Sequence, residues 1–177
     1  MRRFAFVFAA MLVVAPAAAS GARSVGDGSL VIQHGAAPWN PAKTPGQSPD
    51  VPVVQLQITG SVIGYVDGPG RIVVDAGNDT SPDLTVLGAG RPADWKKSDT
   101  AQAWTSATGF KFRAVDGRFT VLIYGSDVNI VAVGKGTVRI AGLPDMPTGD
   151  GRYSLNDGDF RSLPGVQTAK LAIGTTG

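Results

Sequence analysis

The fold class is decided by residues 110–123, FKFRAVDGRFTVLI. Apolar and polar side chains alternate on both sides of Asp116 and Gly117, as they do in strands that bury one face. An Asp-Gly pair between two alternating runs is a strong hairpin signal, because a type I′ turn needs positive φ at both central positions. We therefore predict two antiparallel strands, 110–115 and 118–124, joined by this turn.

The register of this hairpin predicts which side chains enter the core. Across a two-residue turn, Phe112 pairs with Val121, and both point to the same side of the sheet. We expect one buried face to contain Phe110, Phe112, Val121 and Ile123, while Phe119 pairs with Ala114.

The composition extends the β prediction to the whole chain. The sequence holds 24 Gly and 12 Pro, and its fourteen acidic residues are all Asp, which favours turns and caps over helix interiors. Further strand candidates are 29–33, 53–59, 61–67, 71–75, 84–87, 128–133, 137–141, 152–155, 160–163 and 168–173. We predict an all-β fold, an antiparallel sandwich or barrel of roughly ten short strands with Gly/Asp turns.

A recurring glycine pattern leaves a β-solenoid open as the alternative. The pattern Gly-x-Gly-x-apolar-x-apolar begins at Gly26, Gly68, Gly134 and Gly149, and we interpret each copy as a turn that enters a strand. A second turn of this kind is expected at Asp157-Gly158. Solenoid coils need similar lengths, and the first copies lie much farther apart than the last two.

The N-terminus predicts export. Arg2 and Arg3 precede a short apolar run and the small residues of an A-x-A cleavage site, so we expect a signal peptide over 1–19, cut after Ala19 or alternatively after Ala22. We expect a single domain over 20–177, without a transmembrane span after cleavage. Cleavage of the leader would remove two of the sixteen basic residues and leave fourteen basic and fourteen acidic ones, a net charge of zero. A neutral domain is a poor candidate for binding nucleic acid.

Two long segments without a strand pattern interrupt the succession of predicted strands. One is a Pro-rich loop over 36–52, and the other is a long loop over 88–109, in which 93–104 could form a turn or two of helix. A long excursion in a compact domain is usually functional or disordered. We place a candidate binding surface there, for a sugar, an anion or a partner chain, formed by Arg91, Trp95, Lys96, Lys97 and Trp104.

Motifs for catalysis are weak. His34 is the single histidine, and the sequence has no Gly-x-Ser-x-Gly nucleophile motif. Most Asp residues lie at positions where turns favour Asp, several of them next to Gly. No Cys and one His disfavour a structural zinc site, and the oxygen-rich clusters at 75–83 and 150–159 do not match the spacing of an EF-hand calcium loop, so we expect no metal site and no cofactor. The enzyme alternative is a small secreted hydrolase that uses Asp carboxylates or His34. A secreted inhibitor that acts through one of the two loops is a further alternative.

Short segments suggest a family. The stretches GSVIGYV at 60–66, GSDVNI at 125–130 and YSLN at 153–156 resemble an uncharacterised family of exported all-β proteins of high-GC bacteria, over about half of the chain. The resemblance implies no activity and no site residues. We expect a non-catalytic exported domain, a structural or binding module of the cell envelope or medium, whose partner is an envelope component or an extracellular protein.

Overall fold

Ten β-strands and no helix make up the described part of this computed structural model, residues 24–37, 51–77, 82–91, 100–143, 151–165 and 167–175. The strands are β1 (Gly28–Gly35), β2 (Val54–Val66), β3 (Gly70–Asp75), β4 (Asp83–Leu87), β5 (Ala101–Ser106), β6 (Phe110–Gly125), β7 (Val128–Ile140), β8 (Arg152–Leu155), β9 (Arg161–Ser162) and β10 (Leu171–Ile173). The predicted all-β class is therefore confirmed. Over these ranges no helix long and apolar enough to span a membrane occurs. The signal peptide and most of the Pro-rich loop lie outside them.

The strands form one antiparallel sheet that does not close. Its order is β5-β3-β6-β2-β7-β1-β8-β9, with β4 also paired to β6 and β10 to β7. A solenoid would stack similar coils in parallel, whereas each strand pairing here is antiparallel. The solenoid alternative is therefore wrong, and the architecture is sandwich-like.

Three long strands, β2, β6 and β7, carry the sheet from one half of the molecule to the other. We call the two halves half-sheet I and half-sheet II. Half-sheet I contains β5, β3, β10, residues 54–60 of β2, 117–125 of β6 and 134–140 of β7. Half-sheet II contains β4, β1, β8, β9, residues 61–66 of β2, 110–115 of β6 and 128–133 of β7. The inner faces of both halves contribute to one contiguous apolar core.

A row of three glycines marks the boundary between the half-sheets. Gly60 of β2 pairs with Gly117 of β6 on one side and with Gly134 of β7 on the other. The φ angles of Gly60 and Gly134 are +150° and +148°, which side chains rarely adopt. A Cβ on Gly60 would lie 2.2 Å from the carbonyl oxygen of Val133. The three strands thus change direction together where no side chain separates them.

The predicted hairpin at Asp116-Gly117 is wrong. Both residues lie inside the continuous strand β6, where Asp116 has φ of +55° and two residues of β6 face one of β2, a β-bulge. Phe112 accordingly pairs with Gly64 and not with Val121. Burial of the predicted face is nevertheless confirmed, because the bulge moves the buried positions from even to odd numbers along one strand. All four expected side chains and Phe119 belong to the core.

The turn after β8 holds the C-terminal segment against the sheet. Asn156 and Asp157 have φ of +52° and +60°, and the Gly158 amide donates a hydrogen bond to the Leu155 carbonyl. Asn156-Asp157 therefore forms the centre of the turn. The predicted centre, Asp157-Gly158, is wrong by one residue. The Asn156 side chain donates to the Ala172 carbonyl and accepts from the Gly174 amide, at 3.1 and 2.9 Å. This amide therefore ties the turn to β10.

Candidate binding groove

The outer face of half-sheet II carries two cross-strand rows of side chains. Strand register places one row across five strands in the order Thr85, Arg113, Ile63, Val131 and Val31. The second row contains Leu87, Lys111, Tyr65 and Asn129, with Gln33 of β1 at its end. Five strands at about 4.8 Å spacing give the face a width of roughly 19 Å.

These rows line a half-open groove of about 800 Å³. That volume lies within the usual range of small-molecule sites, roughly 300–1,000 Å³. Six large apolar side chains are exposed in the described residues, and four of them line this groove: Ile63, Tyr65, Leu87 and Val131. Clustered exposed apolar side chains are typical of ligand-binding grooves and interaction surfaces, which makes this face a candidate site.

The charges along the groove have one sign. Lys111 and Arg113 are its cationic lining residues, and the described lining contains no carboxylate. Arg113 bonds at the rim to Asp83, with 2.7 Å between Nη2 and Oδ2. Lys111 lies directly across the strand pair from Tyr65, and neither side chain has a hydrogen-bond partner within the described structure. The groove therefore offers an ammonium and a phenol hydroxyl beside apolar surface.

A polar cluster stands at one end of the groove, next to Asn129. Asn129 Oδ1 accepts from the His34 backbone amide at 3.0 Å, and its Nδ2 donates to Asp127 Oδ1 at 2.9 Å. His34 Nδ1 lies 2.8 Å from the same Asp127 oxygen. His34 and Asp127 both have positive φ, +53° and +51°. The cluster clamps the end of β1 to the turn between β6 and β7.

The His34–Asp127 pair has part of the geometry of a hydrolase. A carboxylate that orients an imidazole is the supporting half of a catalytic triad, whose other half is a hydroxyl in contact with the imidazole. Among the described residues no serine or threonine hydroxyl bonds to His34, and the imidazole is exposed. The arrangement positions two backbone segments without assembling a nucleophile.

The structure brings together two of the five residues predicted in the 88–109 loop. The Arg91 guanidinium lies 4.4 Å above the Trp104 ring centroid, and its Nη2 donates to Gln102 Oε1 at 2.8 Å. Trp104 packs against the core. Arg91 and Trp104 thereby attach the segment after β4 to β5. Trp95, Lys96 and Lys97 lie outside the described residues.

The prediction of an unbroken loop over 88–109 is wrong. Strand β5 occupies Ala101–Ser106 and pairs with β3 throughout, so 101–104 is not helical either. The physical reason is the alternation of side chains along the strand: Trp104 pairs with Ile72 and packs against the core, while Ala103 is fully buried on the opposite face beside Val73. Gly90 adds a two-bond bridge to Thr105 at the outer edge of β5.

The groove was not among the sites predicted from the sequence. Its signal is present in β2, where Ile63 and Tyr65 are apolar although Val62 and Val66 already supply the buried face. A strand with one solvated face ordinarily alternates apolar and polar residues. Apolar residues on both faces of a strand therefore indicate a second covered or ligand-binding surface.

Neither a metal-binding cluster nor a similar protein helps to assign a function to the groove. No group of three His, Cys, Asp or Glu side chains suited to a metal occurs among the residues that the structure describes. Comparison of the chain with protein-family models, curated proteins and solved structures gave no match. The resemblance to an exported high-GC family stays a prediction.

Proposed function

We propose that this protein is a non-catalytic, exported binding module of the cell envelope or medium that holds a single-chain amphipathic carboxylate, such as a fatty acid, in the groove of half-sheet II. The observation that carries the proposal is the exposed apolar cluster in a groove of about 800 Å³ with a cationic lining. Export rests on the leader sequence at 1–19.

An apolar tail suits the centre of the groove. Ile63, Val131 and Val31 are adjacent on three neighbouring strands and form a continuous apolar strip. Burial of a methylene group contributes about 0.8 kcal/mol, or about fourfold in affinity. An acyl chain laid along this strip gains that contribution without burying a polar group of its own.

An anionic head suits the Lys111 end. The Lys111 ammonium supplies a charge, and the Tyr65 hydroxyl opposite it supplies a neutral donor. Hydrogen bonds to a charged group are stronger than those between neutral groups. With no carboxylate in the described lining, a ligand carboxylate meets no like charge there. A second copy of this chain packed face to face would instead bring the basic residues of two grooves together.

A titration with saturated fatty acids of increasing length tests the tail. Affinity measured by calorimetry below the micelle concentration should rise by up to about fourfold per methylene until the groove is filled. Val131→Asp should weaken dodecanoate binding at least tenfold, because it places in the apolar strip a charge of the same sign as the ligand carboxylate. The matched control is Val25→Asp, since Val25 is 98% exposed and lies outside the groove. Equal effects of the two variants would refute the groove as the site.

A comparison of dodecanoate with dodecanol tests the head. The wild-type protein should prefer the acid by about fivefold, which corresponds to about 1 kcal/mol for a part-exposed charge pair. Lys111→Met keeps the apolar stem and removes the charge, so it should abolish that preference and leave dodecanol binding unchanged. A preference that survives in Lys111→Met would contradict the assigned head position.

The hydrolase alternative has one favourable observation, the His34–Asp127 contact. A His34→Ala variant distinguishes the two functions. Ester hydrolysis by wild-type protein that disappears in this variant would favour the hydrolase, whereas the binding module loses no fatty-acid affinity. The inhibitor alternative depends on the Pro-rich loop, of which 38–50 lie outside the described residues, and on the 88–109 segment, of which 92–99 do.

A further inference from the structure

A second, smaller pocket lies on the outer face of half-sheet I. Its volume is about 110 Å³, and its lining comes from β2, β6, β7 and the residue before β10. The lining residues are Gln55, Gln57, Thr120, Thr137, Val138, Arg139 and Lys170. Gln57 pairs with Thr120 and Thr137 on its two sides, and Gln55 pairs with Arg139, so the polar side chains are cross-strand neighbours.

The polar side chains of this pocket lack protein partners. None of the six polar lining residues makes a side-chain hydrogen bond or ion pair within the described structure. Arg139 Nε in particular is buried without a hydrogen-bond partner. Buried polar atoms in proteins are paired in the great majority of cases, so an orphaned guanidinium nitrogen beside a polar pocket points to a bound group.

The charge and size of the pocket define the class of that group. Arg139 and Lys170 are cationic, four neighbours are neutral hydrogen-bonding side chains, and the described lining holds neither a carboxylate nor an aromatic ring. A sugar would normally find an aromatic platform, and none lines this pocket. The volume equals that of about four water molecules at roughly 30 Å³ each, which suits a compact ion.

We infer that this pocket binds a tetrahedral oxyanion group, a phosphate or a sulfate. The planar guanidinium of Arg139 presents paired donors to two oxygens of such a group. Lys170 supplies a second charge from the β10 side, and the hydroxyls of Thr120 and Thr137 can donate to the remaining oxygens. The pocket and the groove lie on different half-sheets, so each can fail without the other.

Titration of the full-length mature protein with inorganic phosphate, followed by amide chemical shifts at low ionic strength, tests the site. Saturable shifts should centre on residues 55–57, 120, 137–139 and 170. Arg139→Gln should weaken phosphate affinity at least tenfold, and Thr137→Val about threefold. Arg161→Gln is the matched control, because Arg161 is exposed on β9 outside the pocket, and its affinity should be unchanged.

Two further arms separate the possible sources of the group. Glycerol 3-phosphate that binds more tightly than inorganic phosphate would assign the pocket to esterified phosphate, and binding of inorganic phosphate alone would restrict it to the free ion. Acetate at the same concentration should bind at least tenfold more weakly. Absence of saturable phosphate binding, or equal loss in Arg139→Gln and Arg161→Gln variants that both remain folded, overturns the inference.

Discussion

Replacement of Gly60 by alanine tests the bend on which the two half-sheets depend. Gly60 lies at φ of +150°, and its position against β7 leaves no room for a side chain. A Cβ there would lie 2.2 Å from the Val133 carbonyl oxygen and 2.8 Å from the Gly134 Cα. Both are backbone atoms of a central strand, so neither can move without disturbing the strand pairing.

The expected magnitude follows from two contributions. A non-glycine residue held in a sparsely populated backbone region costs about 1–3 kcal/mol. Overpacking against fixed neighbours adds about 1–3 kcal/mol. We therefore expect Gly60→Ala to lower the free energy of unfolding by about 4 kcal/mol, a large part of the stability of a domain of this size.

Two other glycines separate these contributions. Gly77 has φ of +60°, but a Cβ at this position would have nothing within 4 Å, so Gly77→Ala should cost about 1–2 kcal/mol from the backbone alone. Gly90 has neither a positive φ nor a close neighbour, so Gly90→Ala should leave stability unchanged or raise it by up to about 1 kcal/mol.

Equilibrium urea unfolding, followed by tryptophan fluorescence and circular dichroism, measures all three variants. The order of destabilisation should be Gly60 first, Gly77 second and Gly90 last. A loss at Gly60 no greater than the loss at Gly77 would refute the reasoning, because it would mean that β2 and β7 do not approach each other as closely as the structure has them.

The remaining predictions concern the core, the C-terminal tie and export. Phe112→Ala should cost about 3–5 kcal/mol in urea unfolding, because Phe112 is 3% exposed, whereas Phe160→Ala, at 47% exposure, should cost under about 1 kcal/mol. Asn156→Ala removes both side-chain hydrogen bonds to the β10 segment and places an alanine at a positive φ. It should therefore lower the free energy of unfolding by about 2–3 kcal/mol and speed amide exchange in β10. Unchanged exchange there would contradict the role of Asn156 in holding β10. N-terminal sequencing of secreted protein should begin at Ser20 or Arg23, and an intact Met1 would refute the leader.

Local sequence was sufficient for the fold class and for much of the core. Period-two alternation sets which side of a strand is apolar, and that property depends only on neighbours along the chain. Phe110, Phe112, Val121 and Ile123 were for this reason correctly assigned to the interior, although their pairing was not. The two-residue turn at Asn156-Asp157 was located to within one position by the same local chemistry.

Local sequence was not sufficient to distinguish the end of a strand from a bend within it. Gly60, Asp116-Gly117 and Gly134 each separate two alternating runs, and each was expected to divide two strands. In the structure all three lie inside long strands. A residue with positive φ permits a hairpin and a bulge alike, so the outcome depends on whether the flanking runs pair with each other or with a third strand.

The surfaces proposed for binding depend on the same non-local pairing. The groove needs Leu87, Lys111, Tyr65, Val131 and Val31 on adjacent strands, and these residues are scattered over most of the chain. The sequence by itself determined a β fold and the buried face of most strands, because these depend on composition and on short periods, and it predicts a leader. Only the tertiary structure decided that β2 lies between β6 and β7, because strand order depends on contacts that no local pattern encodes.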